Sequence, residues 1–167
     1  MHVNKLKINL IFFYENITEE NVFLYNRLKL EVQGGFFGVI DVDVLKKLLS
    51  KIEALNSPFI LISTGSSFQK INYICNRFAC IKNIIIYCLE VEKYKFLFQN
   101  NKSVNLISNR IYEINEYLDE ISLEEDYDKN IKNLINYNPL ISIYEYENYY
   151  YIYHEILSFF PKKIFQN

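Results

Sequence analysis

The chain has 167 residues, 18 basic against 20 acidic side chains for a net charge of −2, 50% hydrophobic residues and 17% aromatic ones. This mixture, with 23% charged residues, excludes a disordered chain, a collagen-like chain and a disulfide scaffold; at this length one domain can bury about 70% of its unfolded surface. The balanced charge supplies no positive field for a phosphate backbone, so no nucleic-acid partner is expected.

In chain order, the first apolar run is Ile8 to Tyr14. It is too short for a helix core and too continuous for a half-exposed strand, which is the pattern of a strand covered on both faces. Val22 to Leu30 has weak helical spacing, and Phe36 to Ile40 forms a second run after Gly34-Gly35. Val44, Leu45, Leu48, Leu49, Ile52 and Leu55 recur at three and four, with Lys46, Lys47, Lys51 and Glu53 opposite, and Asn56-Ser57-Pro58 ends this amphipathic helix.

The third run is Phe59 to Ser63, followed by a helix through Ile71, Ile74, Cys75 and Phe78 that starts at Ser66-Ser67. Asn83 to Cys88 gives a fourth strand with a weaker helix over Lys93 to Phe98, and Ser103 to Ile107 gives a fifth. Ile111, Ile114, Tyr117, Leu118 and Ile121 complete the last helix after Ser108-Asn109. Five strands, each followed by a helix, predict an α/β, flavodoxin-like domain over residues 1–125: a five-stranded parallel sheet with helices on both faces. The commonest strand order for such a fold is 2-1-3-4-5.

After the acidic stretch Glu124 to Asp128 the composition changes. Residues 126–167 carry an Ile131, Leu134, Ile135 stripe, a break at Pro139, a tyrosine-rich stretch from Tyr144 to Tyr153, and Ile156, Leu157, Phe159 and Phe160. A helical aromatic C-terminal extension is expected, packing on the α/β domain, on a protein partner or on a second copy.

Cys75, Cys80 and Cys88 are an odd number without close pairing, and His2 and His154 are the only histidines. Neither a zinc site nor a disulfide framework can be read from them, and buried thiols in a reducing compartment are expected. No apolar run approaches the roughly 18 residues of a membrane span, and Met1 to Lys5 lacks a signal-like apolar region. The expectation is a cytoplasmic protein with no membrane partner.

Ligands of a doubly wound sheet bind beyond the carboxyl ends of its strands. Ser63-Thr64-Gly65-Ser66-Ser67 leaves a buried strand and enters a helix through small hydroxyl-bearing residues. Backbone N–H groups at a helix start, with hydroxyl donors and a glycine, suit a phosphate or carboxylate; ordinary N-capping by Ser66 or Ser67 explains the same residues. Thr64, Gly65, Ser66 and Ser67 are therefore candidate ligand-binding residues, joined by Glu15 after strand one and Asp41 after strand two. The turn lacks a P-loop lysine and the G-x-G-x-x-G spacing.

Phosphoacceptor chemistry of the response-regulator kind would need a carboxylate cluster after strand one and an Asp ending strand three; here Glu15 and Thr64 occupy those places. Glu15, Asp41 and Asp43 do not make a convincing metal site, since a helix start favours carboxylates anyway. Cys88 with Glu90 but no histidine is not a recognisable nucleophilic set, so no catalytic residue and no cofactor is assigned.

Phe59 through Ser66, Ile81 through Cys88, Glu92 through Lys95 and Val104 through Ile107 together resemble a receiver-like domain of ciliate and rotifer multidomain proteins. The resemblance spans about residues 58–118 and implies a degenerate receiver-like, or distantly TIR-like, signalling module. With the small-residue turn intact and the acceptor Asp replaced, the expected role is non-catalytic binding of a small anionic ligand or a protein partner. The alternatives are a small Rossmann-like enzyme, TIR-like and NAD-cleaving or a nucleotide- or glycan-processing hydrolase, and a structural subunit of a larger assembly.

Overall fold

The apolar runs of the sequence become strands that are shielded from both sides. In the computed structural model, which describes residues 6–16, 18–55 and 58–124, the strands are β1 (Leu10–Phe13), β2 (Phe36–Val39), β3 (Phe59–Thr64), β4 (Ile81–Tyr87) and β5 (Val104–Ser108). The helices are α1 (Glu19–Glu31), α2 (Val42–Leu55), α3 (Gly65–Cys75), α4 (Val91–Tyr94), α5 (Leu97–Asn100) and α6 (Ile111–Glu124). All strand pairs are parallel and their order is β2-β1-β3-β4-β5, a flavodoxin-like arrangement. The extension expected over residues 126–167 lies outside the described residues.

Strand periodicity of two divides the core between the sheet's faces. Ile11, Phe13, Leu61, Ile84 and Ile86 face Leu45, Leu49 and Ile52 of α2 and Phe68 and Ile71 of α3. Leu10, Phe12, Tyr14, Ile60, Ile62 and Ile85 face Leu24, Tyr25 and Leu28 of α1 and Ile114 and Leu118 of α6. Each such side chain, fully buried, contributes about 1.5–3 kcal/mol relative to exposure.

The alternation slips twice: in β4, where Ile81 and Ile84 share a cluster because the β3–β4 register shifts between Phe59 and Ile60, and in β5. Val104 and Ile107 fall in the same cluster despite an odd separation, because the β4–β5 register shifts between Ile84 and Ile85 and leaves Asn105 as the extra residue. Asn105 Nδ2 donates to Asn83 Oδ1 there, so the irregularity has a polar anchor.

Two helices differ from expectation. The single helix expected over Lys93 to Phe98 is two short ones, because Phe98 N–H donates to Lys95 O and Gln99 N–H to Phe96 O. These i, i+3 bonds tighten the chain into a turn and bring both Tyr94 and Leu97 into the core. Helix α3 begins directly at Gly65, and Thr64, not Ser66 or Ser67, holds its N-cap position, with no side-chain capping bond.

Candidate ligand-binding cleft

The sheet order reverses direction at β1, which has β2 on one side and β3 on the other. Loops leaving β1 and β3 therefore diverge toward helices on opposite faces and leave a crevice at the carboxyl edge. A cleft of about 220 Å³ lies there, between the ends of β1, β3 and β4.

Its first wall is the β1–α1 loop. Thr18 caps α1, its Oγ1 accepting from Asn21 N–H at 3.2 Å, and Asn21 Nδ2 donates to Asn16 O at 2.8 Å. These two bonds fold the loop back on itself and place Asn16, Thr18, Glu20 and Asn21 on the cleft. The second wall is the start of α3, where Thr64, Gly65 and Ser66 face the opening.

The β4 end supplies the third wall with Tyr87, Cys88, Leu89 and Glu90, continued by Lys93 and Tyr94 of α4. Gly65 is what lets this wall approach: a Cβ there would stand 2.5 Å from Tyr94 Cε2, inside contact distance. Tyr94 in turn carries Lys93 Nζ 5.6 Å from its ring centroid.

The polar groups of the cleft separate by type. Donors gather at the start of α3, where the helix leaves its first N–H groups without a side-chain cap, and the positive end of the helix dipole points the same way. Thr64 Oγ1 is buried there and has no hydrogen-bond partner among the described residues. Across the opening Glu20 and Glu90 offer exposed carboxylates, with Lys93 the cation of the lining. At about 220 Å³ the space is below the roughly 300 Å³ of a drug-sized site and fits a smaller ligand.

The Cys88 thiol and the Tyr87 phenol of the β4 wall are held protonated. Burial, and then the charge of Glu90, push the Cys88 thiol above its usual range. Burial, and then Glu20, do the same to the Tyr87 phenol. Beneath the loop, burial followed by the neighbouring Tyr25 raises the Tyr14 phenol strongly. Its hydroxyl also lacks a hydrogen-bond partner among the described residues.

Of the six candidate residues read from the sequence, Thr64, Gly65 and Ser66 meet at the cleft. Ser67, 2% exposed, instead accepts from Glu15 N–H at 3.0 Å and ties β1 to α3. Glu15 Oε2 pairs with Lys70 Nζ at 2.6 Å. Asp41 is exposed and caps α2 through Val44 N–H at 3.0 Å, and it is not part of the cleft lining.

Thr18, Asn21, Tyr87, Lys93 and Tyr94 were not singled out by the sequence. Their signal is positional: each ends a strand or lies in the first turn of the helix after it, and the Thr18-x-x-Asn21 cap marks one such turn. Among the described residues no group of three His, Cys, Asp or Glu side chains is placed to hold a metal ion. No described helix is long and apolar enough to cross a membrane. Compared with protein-family models, curated proteins and solved structures, the chain matches none.

Proposed function

We propose that this chain is a non-catalytic, receiver-like module that binds a small anion-bearing ligand in the strand-end cleft. The anionic group sits at the start of α3, accepting from the free N–H groups of Gly65 and Ser66 and from Thr64 Oγ1. The rest of the ligand carries hydroxyl or amino donors that face Glu20 and Glu90. The observation that carries this reading is the uncapped start of α3 opening into a concave site beside a buried hydroxyl with no partner among the described residues.

Binding is favoured over hydrolysis by the state of the lining. The Cys88 thiol is driven away from the thiolate form that a nucleophile needs, and the rim carboxylates of Glu20 and Glu90 are exposed and not buried as a tuned general base would be. Thr64 stands where a phosphoacceptor would require an Asp.

Titration of the full chain with inorganic phosphate, AMP and NAD, followed by amide NMR, tests the reading. The expected result is saturable shifts at Gly65 and Ser66 from at least one probe, with NAD recovered intact. Amides at these positions unmoved by all three at millimolar concentration, or turnover of NAD, would overturn it.

A further inference from the structure

Helix α1 presents two apolar side chains on the side away from its core. Leu24 and Leu28 are fully buried, whereas Phe23 is 58% exposed and Leu30, at 77%, is the most exposed large apolar side chain among the described residues. Seven positions separate Phe23 from Leu30, so they form a line about 10 Å long on one helix face. Helix α6 runs beside it. Arg27 Nη2 donates at 2.8 Å to the Asn115 carboxamide oxygen in the amide orientation the hydrogen bonds require, and Tyr112, about one turn earlier on α6, is 54% exposed. Phe23 and Leu30 thus form an exposed apolar line on the outer face of α1, and Tyr112 is an exposed ring on the helix beside it.

The path of the chain out of α6 indicates what covers that apolar line. Ser122 Oγ accepts from Lys7 N–H at 2.9 Å, while the adjacent Leu6 N–H donates to Glu31 O at 2.7 Å and Leu6 bridges Val32. The last turn of α6 therefore sits beside the last turn of α1, where Leu30 projects, and residues 125–167 continue from that point. Residues 125–130 are mostly polar and span up to about 20 Å when extended, enough to reverse direction. Immediately after them come Ile131, Leu134 and Ile135 at helical spacing.

We propose that this stripe of the same chain docks against the outer face of α1 beside α6 and covers Leu30 and Phe23. A tether of a few residues gives the stripe an effective local concentration of about millimolar, which a second copy in dilute solution does not match. Removing the Leu30 and Phe23 side chains from water drives the docking.

The test uses the full-length protein with a benzophenone-bearing amino acid at position 30. Photolysis at low micromolar concentration is expected to give intramolecular cross-links to the peptide containing Ile131 to Ile135. Cross-links between copies, or none to residues 125–167, would overturn the proposal.

Leu30→Asp together with Phe23→Asp, at exposed positions that leave the core packing intact, supplies a second readout. The double variant is expected to raise the chymotrypsin cleavage rate within residues 125–167 about tenfold while the sheet domain resists cleavage as before. Equal cleavage rates in variant and wild type would equally refute it.

Discussion

Thr64 is the residue at which stability and the proposed binding part company. Its hydroxyl is buried without a hydrogen-bond partner among the described residues, and such a group costs about 1–3 kcal/mol against one that is paired or absent. Thr64→Val keeps the branched shape and removes that cost. Urea denaturation is expected to show the variant no less stable, and up to about 1 kcal/mol more so. In phosphate titrations the same change is expected to weaken binding about tenfold, the loss of one hydrogen bond to a charged group. A variant less stable than wild type with unchanged phosphate affinity would make the hydroxyl structural. Glu53, which does not line the cleft, bears on stability alone. Its carboxylate accepts from Ala79 N–H at 3.2 Å and Cys80 N–H at 3.1 Å, and the hydrogen bonds with Cys80 hold it below the usual carboxylate range. A depressed folded value means that the unfolded chain takes up a proton first on acidification. The contribution is present above the unfolded value near 4.3 and is lost as pH falls through the folded one. Between pH 6 and pH 3 the wild-type urea midpoint is therefore expected to drop further than that of Glu53→Gln; parallel curves would remove the role.

At the scale of elements, close contacts between helix and sheet are set by small residues. A Cβ on Gly38 of β2 would stand 2.1 Å from Cε2 of Tyr25 on α1, a ring that is itself 4% exposed and has little room to move. Gly38→Ala is expected to cost about 1–3 kcal/mol in chemical denaturation, and Gly38→Ala with Tyr25→Leu to recover part of it; no loss in the single variant would show that the ring yields freely. The five strands were legible because burial on both faces leaves continuous apolar runs, and α2 because only one of its faces is apolar. Helix α1 was faint for the reason that matters elsewhere: Phe23 and Leu30 are apolar on its outer side, which blurs the helical period. The Ser66 and Ser67 pair looked like a cap in the sequence. Ser67 instead bonds the Glu15 N–H across the sheet edge, a tertiary contact that no local pattern encodes. Tyr87, Lys93 and Tyr94 were invisible as site residues because their shared wall forms only when β4 lies beside β3, and Asp41 was grouped with Thr64, Gly65 and Ser66 although it serves its own helix.

For the molecule as a whole, buried thiols tie stability to alkaline pH. Cys75 and Cys80 lie in the core on the α2–α3 side of the sheet, and each thiol is pushed up to about 12, Cys75 by burial and Cys80 by burial and then its hydrogen bond with Glu53. In the unfolded chain both ionise near 8.5. Between about pH 8.5 and 12 the unfolded state therefore holds fewer protons than the folded one, so stability falls as pH rises, by up to about 1.4 kcal/mol per pH unit for each thiol. Below that window the contribution is complete. Cys75→Ala with Cys80→Ala begins from lower stability, because two buried side chains become smaller, but its stability is expected to decline less steeply with pH. The measurement is the urea unfolding free energy at pH 7, 9, 10 and 11 under reducing conditions, with the slope compared between the two proteins. Tyr14, whose phenol is also raised by burial, is retained in both and steepens both curves at the alkaline end. The difference in slope between them isolates the thiols, and identical slopes would show that these cysteines ionise as readily in the folded protein as in the unfolded chain.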